Sequence, residues 1–402
     1  MSEVNNIPRL RFPSFYDEWK HDKLGNVINF QNGVGHERSI DENGNVVVVN
    51  SKFISTEGTV RKYTDKVLSI IPDDSLCMVM SDVPNGKAIA KCYYFETGNH
   101  FSLNQRICSI KSETEVNKFL FYRINRHKYY LKFDNGVGQT NLRKSEVLNC
   151  PIKLPSLSEQ QKIADFLTAV DKRIELLEKK KTLLETYKKG VIKKIFNQEI
   201  RFKDDNGNDF PDWELFKLND VLFEHKQKNN ESKFEEVFSV SKQKGVVNQI
   251  EHLGRSYSAE TIDHYKLIDN WDIVYTKSPT SDFPFGIIKQ NTTGRTGVLS
   301  PLYGVFRPKN KWIGKMIASY FESWVNTYNY LIPLVQKGAK NTMNINNDTF
   351  LNGKQIKLPT SECEQEKISN FLFSIEDQLE LLETQIDKSK TWKKGLLQKM
   401  FV

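Results

Sequence analysis

The stretch Ile152-Lys153-Leu154-Pro155, continued by Glu159-Gln160, Lys162-Ile163, Phe166-Leu167, Glu175-Leu176-Leu177-Glu178, Lys188-Lys189-Gly190 and Phe196, decides the fold, because the chain writes it twice. At the far end it returns as Ile356-Lys357-Leu358-Pro359, Glu364-Gln365, Lys367-Ile368, Phe371-Leu372, Glu380-Leu381-Leu382-Glu383, Lys393-Lys394-Gly395 and Phe401. The offset is 204 at the prolines and 205 from the glutamates onward, so one residue is inserted between the two marks. A repeat this far apart implies a chain of two equivalent halves, and such a chain suits a target that also has two halves.

The repeated stretch has helical periodicity. Apolar residues fall at Ile163, Phe166/Leu167, Val170, Ile174, Leu177, Leu184, Tyr187, Val191 and Ile195, and again at Ile368, Phe371/Leu372, Ile375, Leu379, Leu382, Ile386, Trp392, Leu396 and Met400. Steps of three and four over five turns predict long amphipathic helices with a coiled-coil seam. Each runs about 40 residues, roughly 60 Å at 1.5 Å per residue. Ser158-x-x-Gln161 is the capping box expected for the first helix. The aligned position in the second is Cys363, a poor cap, so Ser361-x-x-Glu364 is expected to serve there. The first helix carries a net +4 and the second −2, which favours their pairing, modestly. The seam is expected to bury Ile163, Leu167, Val170, Ile174, Leu177 and Leu184 of the first helix, and Ile368, Leu372, Ile375, Leu379, Leu382 and Ile386 of the second. The same residues are the candidates for a subunit interface. A helix packed only on its own domain would show the same pattern. Gly190 and Gly395 recur inside the periodic stretch, where a glycine costs about 1 kcal/mol against alanine. They imply a close backbone approach, or a helix end followed by a short turn.

A fainter repeat precedes each half. Arg11-Phe12, Trp19, Leu24 and Val27 correspond to Arg201-Phe202, Trp213, Leu218 and Val221. The order is thus lead-in, domain, helix, twice over, and antiparallel pairing of the helices would give it an approximate two-fold axis. The expected architecture is α+β: two globular mixed α/β domains separated by two long helices that pair as an antiparallel coiled coil. The boundaries are 1–150 for the first domain with its lead-in, 151–198 for the first helical region, 199–355 for the second domain and 356–402 for the second helical region.

Between lead-in and helix the halves barely resemble each other. Strand-like runs occur at 46–49, 67–71, 76–80, 88–95 and 107–110, with a helical stretch over 115–133. The second half has runs near 237–240, 273–276, 285–289 and 297–299, with a helical stretch over 311–331. A polar, glycine-bearing loop follows in each, at 136–142 and 338–345. Similar architecture with divergent side chains fits two recognition domains with different targets.

Composition narrows the partner. The formal net charge of the 402 residues is +8, of which the domains and lead-ins carry +6. Phosphates need Lys and Arg, and base edges need Asn, Gln and Arg with defined geometry. Candidate nucleic-acid contacts are therefore Gln139, Asn141, Arg143, Arg126 and Lys128 in the first domain. In the second they are Lys277, Arg295, Lys337, Lys340, Asn341 and Asn344. Glycine, asparagine and threonine also favour plain turns, so turn chemistry is the competing reading of both loops. No apolar run is long enough to cross a bilayer and no signal peptide is evident. The five cysteines are scattered without a Cys-x-x-Cys, as in a reduced, cytoplasmic protein.

The two Leu-Pro…Glu-Gln-x-x-Ile…Phe-Leu helix starts, the two Lys-Lys-Gly…Phe helix ends and Arg11-Phe12-Pro13…Trp19 resemble the DNA specificity subunit of type I restriction–modification systems. The second lead-in departs from that pattern, with Lys203 where Pro stands in the first, and Pro211-Asp212-Trp213 restores the proline and tryptophan. The resemblance implies a non-catalytic subunit with one target-recognition domain per half of a split DNA sequence. The helical pair would fix the unread gap and dock two methyltransferase subunits, which restriction and translocase subunits then join. Double-stranded DNA is the implied ligand. S-adenosylmethionine, ATP and magnesium are implied for the partner subunits and none for this chain.

The sequence holds little that points to catalysis. Gly86-Lys87 and Gly353-Lys354 lack the earlier glycine of a phosphate loop, and Gly33-Val34-Gly35 lacks the third glycine of a dinucleotide loop. Ser278-Pro279-Thr280 falls short of an adenine-methyltransferase signature. The seven histidines form no His-x-x-x-His pair, so no metal site is expected. Pro211-Asp212 with Glu231-Ser232-Lys233 formally matches a magnesium-nuclease pattern. Glu-x-Lys recurs by chance in so charged a chain, as at Glu18 and Glu178. A stand-alone nuclease and a coiled-coil adaptor without DNA remain the alternatives.

Overall fold

The structure is a computed structural model that describes residues 7–83, 88–134, 136–277, 283–337 and 343–401. The chain forms two compact units. Unit 1 holds Met1–Glu178 with Thr384–Val402, and unit 2 holds Lys179–Glu383. Each unit therefore takes part of both repeated helices.

Unit 1 runs through β1 (Lys20–Lys23), β2 (Asn29–Asn32), β3 (Val46–Val49), α1 (Ser51–Ser55), β4 (Tyr63–Thr64), β5 (Ser75–Val79), β6 (Ser81–Asp82), β7 (Cys92–Phe95), β8 (Phe101–Leu103) and β9 (Ile107–Lys111). It then turns helical in α2 (Asn117–Ile124) and α3 (Lys128–Leu131), and β10 (Thr140–Asn141), α4 (Lys144–Leu148) and β11 (Pro151–Leu154) lead into α5 (Leu157–Phe196). The central sheet has the order β2-β9-β5-β7, all antiparallel. A second sheet, β4-β3-β8, contains the parallel pair β3–β8. β5 is buried along its whole length and separates two cores, because strand side chains alternate between faces. Leu76 and Met78 face the cluster that holds Trp19, Phe119 and Tyr130. Cys77 and Val79 face the cluster around Phe53 and Phe95.

Unit 2 repeats that plan with other residues. Its elements are β12 (Glu214–Phe216), β13 (Leu222–Glu224), β14 (Phe238–Ser241), β15 (Gly245–Asn248), α6 (Gln249–Leu253), β16 (Lys266–Ile268), β17 (Ile273–Tyr275), β18 (Ile288–Gln290), β19 (Gly297–Leu299), β20 (Gly304–Pro308), α7 (Lys311–Tyr320), α8 (Trp324–Leu331), β21 (Gln336–Lys337), β22 (Met343–Asn344), α9 (Asn347–Leu351), β23 (Ile356–Leu358) and α10 (Glu362–Met400). Its central sheet is β13-β20-β17-β18. In β17, Ile273 and Tyr275 face the core with Trp213 and Phe306, while Val274 faces the core around Phe238.

Several sequence expectations shift. Residues 67–71 form no strand; Ile70 bridges Ser102, the N–H groups of Leu68 and Ser69 donate to the Ser102 hydroxyl, and Gln31 Nε2 donates to Ser69 Oγ and Ile70 O. The run at 88–95 is a strand only from Cys92; Ala90, at φ +55°, and Lys91 bond to Val79 in a turn before it. The helix expected over 115–133 is split in two where Arg126 adopts φ +56°. The helix expected over 311–331 is likewise two, with Ser323 capping the second by accepting from Asn326 N–H.

Both long helices keep the expected lengths, 40 and 39 residues. They pair antiparallel within each unit. In unit 1, Asp171 meets Lys393 and Glu178 meets Lys390. In unit 2, Lys181 meets Glu383 at 3.5 Å and Lys188 meets Glu376 at 2.6 Å. As the number rises on one helix it falls on the other.

The caps correct the alignment. Ser156 Oγ accepts from Glu159 N–H in the first helix, and Ser361 Oγ accepts from Glu364 N–H in the second, both at 3.4 Å. Ser158 is not the cap. Ser156 and Ser361 are true equivalents, so the inserted residue is Thr360 and Cys363 has no capping duty. Gly190 and Gly395 also correct the reading. Both lie inside unbroken helix, and a Cβ on either would meet nothing within 4 Å, so neither a close approach nor a helix end explains them.

Candidate nucleic-acid interface and its helical frame

The frame is best understood through the lead-ins. Arg11 Nε and Nη2 each donate to the buried Glu159 carboxylate at 2.7 Å, and Nη2 also donates to Asp17 O. In unit 2, Arg201 donates to Glu364 at 3.4 Å and to the carbonyls of Phe210 and Pro211. Hydrogen bonding to Glu159 holds the Arg11 pKa above its ordinary value, against the opposing effect of burial. Trp19 lies against Phe401, and Trp213 against Phe196, with ring centroids 6.4 and 5.9 Å apart. β1 pairs with β11, and β12 with β23, so each lead-in clips onto the strand just before its long helix. The departure at Lys203 leaves this clip intact.

Of the expected seam residues, Ile163, Leu167, Val170, Ile174, Ile368, Leu372, Ile375, Leu382 and Ile386 are buried. Leu177, Leu184 and Leu379 are partly buried. Tyr187 is half exposed and the inward place beside it is taken by Lys188. Lys188 Nζ donates to Glu322 at 2.8 Å and to Glu376, and Lys315 from α7 also reaches Glu376. Burial works against the Lys188 charge, but the two carboxylates win and raise its pKa. Burial dominates at Lys315 and lowers its pKa. Glu376 is held below the usual carboxylate range by the two ammonium groups, which outweigh its burial. Hydrophobic periodicity missed this network. The offset of 205 would have found half of it, since Asp171 and Lys393 in unit 1 stand where Glu376 and Lys188 stand in unit 2.

The recognition candidates fare unequally. In unit 1, Gln139 and Asn141 are exposed and in mutual contact, with Gln139 Nε2 donating to Ser81 Oγ at 2.6 Å and to Asn141 Oδ1 at 3.3 Å. Arg143 is exposed at the start of α4, its N–H donating to Glu146 Oε2. Lys128 is exposed at the start of α3. Arg126 is turned to structural use, since its Nη1 donates to Ile89 O at 3.0 Å and ties the α2–α3 break to the turn before β7. In unit 2, Arg295 is spent on two carboxylates: it grips Glu251 at 2.8 and 2.9 Å and Glu236 at 3.0 Å. Lys277 is partly buried with φ +56°, and desolvation, then the nearby Lys266, lower its pKa. Lys340 and Asn341 lie outside the described residues. Lys337 and Asn344 are placed only as backbone, in the β21–β22 pair.

Among the described residues, one group of three could approach a cation, and sequence spacing missed it: His225, Asp269 and Asp272. His225 Nδ1 lies 2.7 Å from Asp272 Oδ2. The Arg307 guanidinium contacts Asp269, comes within 3.5 Å of Asp272 and lies 3.4 Å from His225 Nδ1. A fixed cation thus already supplies the positive charge, and the group is an internal salt network. The formal nuclease pattern fares no better. Asp212 is exposed beside Arg201, and Glu231 faces Lys233 at 3.7 Å. Neither belongs to a metal-capable group among the described residues. No helix of the described residues is long and apolar enough to cross a membrane.

Comparison with known proteins adds the decisive observation. Residues 16–186 match the family model of the type I restriction modification DNA specificity domain. The chain is thus similar, over part of its length, to type I specificity subunits. It is 26% identical over 226 residues to the MjaVIII specificity subunit of Methanocaldococcus jannaschii, covering 53% of this chain and 50% of that protein. It is 26% identical over 211 residues to a putative MjaX specificity subunit of the same organism, covering 50% and 46%. The chain thus spans about half the length of the curated relatives it matches. The crystal structure of the S subunit from M. genitalium matches at a TM-score of 0.62 over 98% of this chain and 99% of that one, at 14% identity. The type I specificity fold, two mixed domains plus two long helices, therefore accounts for nearly the whole chain. The family match ends inside α5, while the lead-in, cap and strand clip of unit 2 repeat those of unit 1.

Proposed function

We propose that this chain is the sequence-specific DNA-binding subunit of a type I restriction–modification complex. Unit 1 reads one half of a split DNA sequence and unit 2 the other. α5 and α10 carry the docking surface for two methyltransferase subunits, through which restriction and translocase subunits join. The observation that carries this reading is the pattern of what repeats. Arg11–Glu159 and Arg201–Glu364, Trp19 and Trp213, and the caps at Ser156 and Ser361 are built twice. The stretches 136–142 in one unit and 338–345 in the other differ in sequence. A duplicated frame with unlike loops fits a constant scaffold that presents two readers. On this reading the chain itself is non-catalytic. S-adenosylmethionine, ATP and magnesium belong to the partner subunits.

The test is reconstitution with methyltransferase subunits, followed by sequencing of methylated adenines in a random-sequence library. A split motif with a fixed unread gap is expected, with binding that weakens steeply as salt rises. Modification of no split motif would overturn the reading. Salt-independent partner binding without DNA would favour the adaptor, and magnesium-dependent cutting by the isolated chain, lost in Asp212→Ala and Glu231→Ala, the nuclease.

A further inference from the structure

Gln139 and Asn141 stand on a ladder that the fold fixes at several points. β10 pairs with β6, Asn141 opposite Ser81 and Thr140 opposite Asp82. β6 leaves the central strand β5 after one residue, Met80, whose carbonyl accepts from Leu142 N–H at 2.7 Å. Leu142 is itself buried in the unit 1 core. The Asp82 carboxylate accepts from the N–H groups of Val83, Ala88 and Ile89. Asp134 accepts from Gly136 N–H and from the Thr140 hydroxyl. A polar pair carried on so constrained a ladder is preorganised rather than free to reorient.

The hydrogen bonds within the pair decide what it shows to the outside. Gln139 Nε2 spends its protons on Ser81 Oγ and Asn141 Oδ1. What remains is the Gln139 carbonyl oxygen, an acceptor, beside the Asn141 amide nitrogen, a donor. Exchanging oxygen and nitrogen in both amides leaves the same outward composition, one acceptor and one donor. In the DNA major groove this is the complement of adenine, which offers the N6 amine and the N7 acceptor side by side. Guanine offers two acceptors there and asks for two donors.

We propose that Gln139 and Asn141 act together as the reader of one adenine in the half-sequence bound by unit 1. Arg143, two residues further on, holds a neighbouring phosphate, since its guanidinium makes no ion pair among the described residues. This rests on the DNA-recognition reading above and deepens it to a named base.

The test uses the full chain reconstituted with methyltransferase subunits, probed with an oligonucleotide library and by mapping of methylated adenines. Gln139→Ala or Asn141→Ala should cut the preference for A at one position of one half-sequence by roughly 10- to 100-fold, with every other position kept. Arg143→Ala should weaken all sequences alike. Asn141→Asp, which shows two acceptors, should move the preference from adenine toward cytosine, a gain that a misfolded variant cannot give. The proposal is overturned if both alanine variants retain the full motif, if the lost preference is for a G·C pair, or if the losses are uniform. A wild-type complex that modifies no split motif would overturn the DNA reading and this proposal together. An intact wild-type motif with unmoved variants would overturn the amide pair alone.

Discussion

Arg11 and Arg201 perform one task with unequal geometry. Arg11 meets a carboxylate that is 1% exposed with two bonds of 2.7 Å, whereas Arg201 reaches Glu364 at 3.4 Å. Removing one partner of a buried pair strands the other charge, which costs about 3–5 kcal/mol. Arg11→Ala should therefore lower the stability of unit 1 by that amount in urea denaturation. Adding Glu159→Gln to the same chain should recover part of it, and Arg201→Ala should cost less. His127 offers a second residue-scale test. Its Nδ1 accepts from Tyr129 N–H and lies 3.5 Å from Cys150 Sγ. Burial, reinforced by Arg123 and nearby lysines, pushes its pKa down from 6.5 to about 4. The folded state thus favours the neutral ring. Its contribution is present above pH 6.5 and is lost as pH falls from 6.5 toward 4. Denaturation midpoints measured across that window should fall less in His127→Asn than in the parent chain. Arg11 and Glu159 could be flagged in sequence only as members of a repeat. Their mutual contact across 148 residues is a product of the β1–β11 clip, which no local pattern announces.

At the scale of elements, the long helices were the most legible part of the chain, because little besides a long amphipathic helix keeps a 3.6-residue apolar period over so many turns. The glycines within them mislead. Gly190 and Gly395 sit in continuous helix with open space around them, so each carries the backbone cost of glycine without a packing return. Gly190→Ala and Gly395→Ala should each raise stability by about 0.5–1 kcal/mol, read as a higher thermal midpoint. A loss on either substitution would reveal a partner that needs the bare backbone. The short elements were harder to see. β2 reads Asn-Phe-Gln-Asn and is mostly exposed at a sheet edge, so it has no apolar signature. The breaks in the domain helices come from single residues such as Arg126 at φ +56°, where tertiary bonds override a favourable helical sequence. The candidate loops were legible as polar and glycine-bearing, but not as structures. Composition singled out Gln139, Asn141 and Arg295 alike, but it could show neither the hydrogen bond within the amide pair nor the ion pairs of Arg295 to Glu251 and Glu236, which are remote in sequence.

At the scale of the whole molecule, the duplication was plain in the sequence, but the way the copies are shared out was not. Linear boundaries at 150, 198 and 355 describe the order of segments. Compactness instead gives unit 1 the last 19 residues of the chain and gives unit 2 the second part of α5. The reason is packing: Leu396, Met400 and Phe401 complete the core around Trp19, and Val191, Ile192 and Ile195 complete the core around Trp213. A detail of the backbone extends this point. Ile200 N–H donates to Lys194 O at 3.3 Å where the chain runs on from α5 into the second lead-in. Leu10 N–H donates to Lys399 O at 2.9 Å at the equivalent place in unit 1, where no peptide bond joins the two segments. The same junction is thus made once with covalent continuity and once without it. Connectivity at 198–199 is then a convenience of synthesis rather than a requirement of the fold. Two separately translated pieces, 1–198 and 199–402, should find each other and co-purify as a stoichiometric pair, each lending the other the helix end that its core lacks. Recovery of either piece folded alone, with no affinity for its complement, would show that the bond at 198–199 is essential after all.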